Sequence, residues 1–135
     1  MKLRELRIGN IIGGIYTDYD DDSEKHDVCK VVTLDSVGAA GYPIWVEGKA
    51  NVENYDSFYP IEIDEEWLVR FGFCKIEGNG NFYELSGFRF LVQYVPKSGY
   101  LRVDRVGVAV KYVHQLQNLY LALTGEELQL QEPTK

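Results

Sequence analysis

Residues 111–125 form the segment that most constrains the fold. Apolar side chains recur there at helical spacing and, at about 100° per residue, fall within one arc roughly 120° wide; they are Tyr112, Val113, Leu116, Leu119, Tyr120 and Leu123. Gly125 follows at the position of a left-handed C-cap. The segment therefore predicts a helix that is docked on a core through Leu116, Tyr120 and Leu123.

The other side of the predicted helix is polar. At i, i+3, i+4 and i+7 it carries His114, Gln117, Asn118 and Leu121, which we expect to form one exposed strip. Amide side chains in a row with an unburied Leu fit a groove or another helix, so this strip is our predicted partner-binding site. A catalytic His needs a nucleophile or an orienting carboxylate beside it, and the strip has neither. The alternative is that the strip packs within the fold and has an architectural role.

The chain is long enough for one domain or for two small lobes that share a core. It has 135 residues, of which 45% are hydrophobic, so it is not disordered by composition. No apolar run approaches the roughly 20 residues needed to span a bilayer, and charges interrupt residues 1–10, where a signal peptide needs an apolar stretch. Cys29 and Cys74 lack metal-site spacing and are expected to be buried thiols. We therefore expect a cytoplasmic protein.

Residues 1–63 show a pattern of short β-strands separated by turns. Strands are predicted at residues 6–12, 28–34 and 42–47, and Gly13 and Gly14 are expected to break the first of them. Residues 18–27 are rich in Asp and Glu and are predicted to be a solvated loop, because like charges repel one another and bury little. Closely spaced short strands indicate a small SH3-like barrel or a curled sheet.

Residues 64–135 combine two helices with a β-meander. Asp64 is a favourable N-cap for a short helix that ends at Gly72. The strands that follow are separated by turns, and a short closing strand is predicted at residues 127–130. The fold class is therefore α+β. The two lobes, residues 1–63 and 64–135, are expected to form one compact unit.

The net charge of −7 is unevenly distributed along the chain. Residues 1–66 carry 6 Lys/Arg and 15 Asp/Glu, whereas residues 67–125 carry 7 Lys/Arg and 3 Asp/Glu. Nucleic acid repels an acidic chain at long range, which disfavours binding without excluding it. The acidic segment lacks the Gly and the alternate spacing of a calcium loop, and His26 has no second metal ligand nearby, so no metal site is predicted.

A second candidate surface lies in the basic part of the chain. Arginines are interleaved there with aromatic residues, a combination that holds single-stranded nucleic acid; the residues predicted for this contact are Arg89, Tyr100, Arg102 and Arg105. From residue 100 onward apolar and polar residues alternate, which predicts a strand with one buried and one wet face. The alternative is that the aromatic side chains face the core and the arginines extend to solvent or pair with the acidic half.

Three motifs frame the chain: LRIGN at residues 6–10, EEWLVRFGF at residues 65–73 and KYVHQLQNLY at residues 111–120. In this order they resemble a family of short uncharacterised proteins found in prophages and mobile elements of gut Bacteroides-type bacteria. The acidic segment at residues 18–27 departs from the family pattern. The resemblance implies a setting and no chemistry, namely an accessory protein that modulates a host complex, binds another phage protein or touches DNA.

These observations lead to three hypotheses of function. The first is a non-enzymatic protein–protein interaction or accessory module of a phage or mobile element, acting without a cofactor and with an unidentified protein partner. The second is a nucleic-acid-binding accessory protein that uses the basic C-terminal sheet. The third is an acidic inhibitor that mimics the charge of DNA through residues 18–27.

Overall fold

A computed structural model describes residues 6–34, 44–47, 55–78, 80–103 and 108–131. The chain divides into two compact units, Met1–Ile61 and Glu62–Lys135. Each unit contains one antiparallel sheet, and both of the described helices belong to the second unit. The predicted α+β class is therefore confirmed.

The first unit is a four-stranded sheet with the strand order β3-β2-β1-β4. Its strands are β1 (Ile11–Asp18), β2 (Ser23–Leu34), β3 (Ile44–Glu47) and β4 (Tyr55–Tyr59). β1 and β2 form a long hairpin. Within the described residues the edge strands β3 and β4 do not pair with each other, so the SH3-like barrel stays a prediction.

The turn that leads into β1 explains the first sequence motif. Gly9 has a φ of 97°, which glycine adopts without steric cost. Its N–H donates to the carbonyl of Val31 (2.8 Å), and the N–H of Val31 donates to the carbonyl of Asn10 (2.8 Å). The side chain of buried Asn10 accepts from the N–H of Arg7 (2.7 Å). Because residues 6–10 form this turn on β2, the predicted strand at residues 6–12 begins only at Ile11.

Apolar side chains on one face of the sheet form the core of the first unit. Leu6, Ile12, Cys29 and Val31 make up the cluster, with Tyr16 and Phe58 packed against it. Ile12 and Cys29 are direct cross-strand partners, so their side chains point to the same side of the sheet. The prediction that Cys29 is a buried thiol is confirmed.

Two predictions for the first unit are wrong. Gly13 and Gly14 do not break a strand; they lie inside β1, opposite Val28 and Asp27. The acidic segment is not a loop, because only residues 19–22 form a turn and its other residues belong to β1 and β2. The physical reason is that backbone pairing continues through charged residues whose side chains remain largely in solvent.

The second unit contains a five-stranded meander with the strand order β5-β6-β7-β8-β9; a meander is predicted from the sequence, but its last strand is not. The strands are β5 (Cys74–Lys75), β6 (Phe82–Glu84), β7 (Val92–Val95), β8 (Tyr100–Val103) and β9 (Val108–Val110). In β8 the side chains of Leu101 and Val103 are buried and that of Arg102 is exposed. The predicted alternation of a buried and a wet face is confirmed for this strand.

The short helix α1 (Glu65–Arg70) has the predicted caps. Oδ1 of Asp64 accepts from the N–H of Trp67 (2.9 Å), and Gly72 follows the helix with a φ of 93°. Trp67 and Leu68 bury the apolar side of the helix. Six residues are too few for a helix that is stable alone, so this packing maintains it.

The C-terminal helix α2 (Val113–Thr124) also ends as predicted. Gly125 has a φ of 77°, and its N–H donates to the carbonyl of Leu121 (2.8 Å). At the other end, Oε1 of Gln115 accepts from the N–H groups of Lys111 (3.0 Å) and Tyr112 (3.1 Å). This side chain occupies two backbone donors at the helix start, a signal that the apolar stripe did not reveal.

Three further expectations are wrong for the described residues. Leu123 is exposed rather than docked. The buried side of α2 is rotated away from the predicted apolar stripe and toward His114 and Gln117. Residues 127–130 form no strand; instead the N–H of Gln131 donates to the carbonyl of Arg70 at the end of α1 (2.7 Å). Cys74 is exposed, because it lies on the two-residue strand at the edge of its sheet. The turn expected between the strands predicted at residues 28–34 and 42–47 lies outside the described residues.

Candidate functional site

A polar cluster in the first unit is built around Tyr59, the last residue of β4. Tyr59 lies directly opposite Gly13 of β1. A Cβ atom at residue 13 would be 2.2 Å from Cζ and 2.4 Å from Cε2 of the Tyr59 ring, distances that real Cβ contacts do not show. Because Gly13 has no side chain, the aromatic ring can lie directly on the backbone of β1; we call this position over Gly13 the seat of the ring.

From this seat Tyr59 reaches across β1 to His26 on β2. The Tyr59 hydroxyl lies 3.1 Å from Nδ1 of His26, and the two rings meet edge to face with centroids 5.6 Å apart. Nε2 of His26 lies 3.2 Å from Oε1 of Glu24. A carboxylate only accepts, so the neutral imidazole donates from Nε2 and accepts the hydroxyl proton of Tyr59 at Nδ1. The three side chains form one hydrogen-bonded chain.

This cluster lies on the side of the sheet opposite the core cluster. Val28 and Tyr59 are both cross-strand partners of Gly13, so they share its face of the sheet, and His26 lies two residues from Val28 on the same strand. Val28 is 44% exposed, the His26 side chain is 55% exposed, and Tyr59 is half-buried. We call His26, Val28 and Tyr59 the Tyr59 face.

The Tyr59 face combines an aromatic ring with hydrogen-bonding groups. Burial raises the pKa of the Tyr59 hydroxyl, and nearby Cys29 and Asp27 add to the effect. A phenol with a raised pKa stays protonated at neutral pH. Both ring nitrogens of His26 are engaged, one by Tyr59 and one by Glu24. The cluster therefore presents an apolar ring and oriented hydrogen-bonding groups at the surface.

The acidic turn at the tip of the same hairpin is held by its own side chains. Oδ1 of Asp18 accepts from the N–H of Asp20 (3.0 Å), and Oδ1 of Asp21 accepts from the N–H of Ser23 (2.9 Å). The hydrogen bonds from Ser23 lower the pKa of Asp21, and Lys25 Nζ lies 3.3 Å from its other oxygen. The turn is locally structured. Within the described parts of the chain, no three His, Cys, Asp or Glu side chains come together to hold a metal ion.

The strip predicted as the partner-binding site is not exposed. His114 and Gln117 are only 1% and 2% exposed, and Asn118 and Leu121 are half-buried. Val113 is buried in α2, and at about 100° per residue Gln117 lies only about 40° from it around the helix and His114 about 60° from Gln117, so these polar residues share the buried side. The prediction of an exposed strip is therefore wrong. We base no partner site on it.

The sheet of the second unit has an outer face, on the side away from its buried strand residues. Cross-strand register places Phe82, Gln93, Arg102 and Ala109 in one row there, and Tyr100 lies two residues from Arg102 on the same strand. Arg102 and Ala109 are exposed, while the other three side chains are half-buried. We call these five residues the outer face.

The outer face contains half of the residues predicted for nucleic-acid contact. Tyr100 and Arg102 lie together on it. Arg89 is exposed in the connection between β6 and β7, outside the row, and Arg105 lies outside the described residues. The sequence analysis missed Phe82 and Gln93, because only the pairing register shows that these residues share a face with Arg102.

Other aromatic residues of the basic region belong to the core instead. Phe88 is buried and packs against Phe73 and Tyr120, with ring centroids 6.3 and 5.0 Å away. Phe90 also packs against Phe88, with ring centroids 5.4 Å apart. The alternative in which these aromatic side chains face the core is confirmed for Phe88.

Comparisons with known proteins identify no relative. No protein-family model, curated protein or solved structure matches this chain significantly. In the residues that the structure describes, neither helix is both long enough and apolar enough to cross a membrane. The function must therefore be argued from the two surfaces alone.

Proposed function

We propose that this chain is a non-enzymatic protein-interaction module that binds its partner through the Tyr59 face. The proposal rests on one observation: the Tyr59 ring is seated on Gly13 and its hydroxyl is hydrogen-bonded to His26. A side chain that is held before binding loses little conformational entropy when the partner arrives. Tyrosines of this kind are enriched among the residues that dominate interface energies.

The composition of the Tyr59 face supports a protein partner. Val28 supplies exposed apolar area beside the aromatic ring, and His26 supplies a polar edge. Apolar area at the centre with hydrogen-bonding groups around it is the usual arrangement of protein interfaces. In the setting that the sequence resemblance implies, the module acts in the cytoplasm as an accessory protein of a prophage or mobile element.

The proposal is tested by affinity purification from cells that express the tagged protein, with and without nuclease treatment. We expect the partner to survive nuclease and to be lost with Val28→Glu. The matched control is Val69→Glu, which adds the same charge at a valine of the second unit that is 61% exposed. The control should retain the partner.

A direct measurement then decides the assignment. With the purified partner, Val28→Glu should raise the dissociation constant at least about tenfold, which corresponds to about 1.4 kcal/mol, and His26→Ala should also weaken binding. If Val28→Glu and Val69→Glu bind the partner as tightly as the wild type, the Tyr59 face is not the interface. Loss of every partner on nuclease treatment would contradict a direct protein interaction.

A further inference from the structure

We propose that the outer face of the second sheet binds single-stranded nucleic acid, with unpaired bases stacking on Phe82 and Tyr100 and phosphates contacting Arg102. This activity goes beyond the proposed protein interaction and uses a different surface. It commits to single strands because the face offers rings for stacking, and bases are accessible for stacking only when they are unpaired.

Arg102 has no carboxylate beside it in its row on the sheet. Its cross-strand partners are Gln93 and Ala109, neither of which carries a carboxylate. Among the described side chains Arg102 makes no ion pair, and it is exposed. An exposed guanidinium without a carboxylate partner is available for bidentate contact with a phosphate.

Two aromatic rings lie near Arg102 at distances that suit neighbouring bases. Tyr100 lies two residues from Arg102 along β8, about 7 Å away at roughly 3.3 Å per residue. Phe82 lies in the same row two strands away, about 10 Å at roughly 4.8 Å per strand. Bases on the two rings would therefore flank a phosphate at Arg102.

Small residues at the two ends of the row, Ala109 and Gly80, keep the outer face flat. Ala109 at one end adds no bulk, and Gly80 lies beside the ring of Phe82 at the other end, where a Cβ atom would be only 3.0 Å from Cε2. Gln93, between Phe82 and Arg102, offers an amide that both donates and accepts. An amide within reach of stacked bases can bond their edges without demanding one sequence.

One residue on the same side of the sheet opposes the proposed ligand. Glu84 lies two residues from Phe82 on β6 and is exposed, so its carboxylate repels phosphate. Together with the net charge of −7, it predicts modest affinity that falls steeply with salt. Removal of the Glu84 charge should therefore strengthen binding, whereas removal of Tyr100 or Arg102 should weaken it.

The test is fluorescence anisotropy of labelled 12-nucleotide DNA and RNA strands of mixed sequence at 20 and 150 mM salt. A 12-base-pair duplex is titrated in parallel. We expect the full chain to bind the single strands at 20 mM salt, more tightly than the duplex, and to bind them more weakly at 150 mM. Absence of binding at about 100 μM protein in 20 mM salt would overturn the proposal, because this concentration reaches the weak end of nonspecific dissociation constants at physiological salt, about 10⁻⁴ M, and binding is tighter at low salt. Equal affinity for the duplex would also overturn it.

Three variants locate the site. Tyr100→Ala should weaken binding at least about fivefold, the lower end of the stacking contribution of one base. Arg102→Ala should weaken binding and reduce the salt dependence by about one phosphate contact. Glu84→Gln should strengthen binding.

The matched control is Lys111→Ala, which removes the same charge from an exposed residue outside the sheet, just before α2. If this control weakens binding as much as Arg102→Ala, the interaction is unspecific attraction to cations and the outer face is not the site. Val28→Glu is expected to leave oligonucleotide binding unchanged, so failure of this proposal and failure of the protein-interaction proposal can be told apart.

Discussion

Replacement of Gly13 by Ala tests how the Tyr59 face is built. The new Cβ atom would lie 2.2 to 2.6 Å from three atoms of the Tyr59 ring, so the ring must leave its seat. Overpacking of this kind costs about 1–3 kcal/mol, and loss of the bond to His26 adds about 0.5–1.5 kcal/mol. Replacing a glycine inside a strand returns about 0.5–1 kcal/mol. We expect Gly13→Ala to lower the free energy of unfolding by about 1–3 kcal/mol.

The assay is urea denaturation of four proteins that form a double-mutant cycle: the wild type, Gly13→Ala, Tyr59→Ala and the double variant. Without the Tyr59 ring, Gly13→Ala should be neutral or stabilising by up to about 1 kcal/mol. The coupling energy between the two positions should therefore be about 1–4 kcal/mol. If Gly13→Ala destabilises the protein equally in both backgrounds, the ring is not what requires glycine at this position.

Two further predictions concern the second unit. Burial and a hydrogen bond to Glu65 raise the pKa of Tyr83 to about 12, above the value of about 10 for an exposed tyrosine. The protonated Tyr83 hydroxyl therefore contributes fully to stability below about pH 10, and this contribution is lost as the pH rises through 12. Between pH 9 and 11.5, Tyr83→Phe should lose less free energy of unfolding than the wild type. The control Tyr19→Phe, at a residue that is 84% exposed, should lose as much as the wild type. If Tyr83→Phe also loses as much as the wild type, Tyr83 is not the group responsible. Leu116→Ala should lower the free energy of unfolding by about 2–5 kcal/mol, whereas Leu123→Ala should lower it by less than about 1 kcal/mol. If urea denaturation shows equal losses for the two variants, α2 is docked through Leu123 as the sequence alone suggested.

The sequence determined the elements whose signals are local. Asp64 and Gly72 delimit α1, and Gly125 ends α2, because caps depend on a few adjacent backbone groups. The alternation in β8 predicted its buried and wet faces, because side chains of a strand point alternately to its two sides. Short-range chemistry of this kind is readable without knowledge of the fold.

The tertiary structure alone decided which side chains meet. The sequence predicts that Gly13 breaks a strand, yet Gly13 lies inside β1, where the ring of Tyr59, far along the chain, occupies the space that a side chain would need. The polar side chains of His114 and Gln117 predict a solvent-exposed strip, yet both are buried on the same side of α2 as Val113. Contacts between distant residues depend on strand register and on helix rotation, which no local pattern encodes.

The two proposed sites differ in the same way. Tyr100 and Arg102 share a face by period two within one strand, so the sequence alone brought them together. Phe82 joins them only through the pairing of β6 with β7 and of β7 with β8. His26 joins Tyr59 only because β4 pairs with β1 and places the ring over Gly13. The sequence by itself determined the residues within each strand, and the order of the strands decided which of them form a surface.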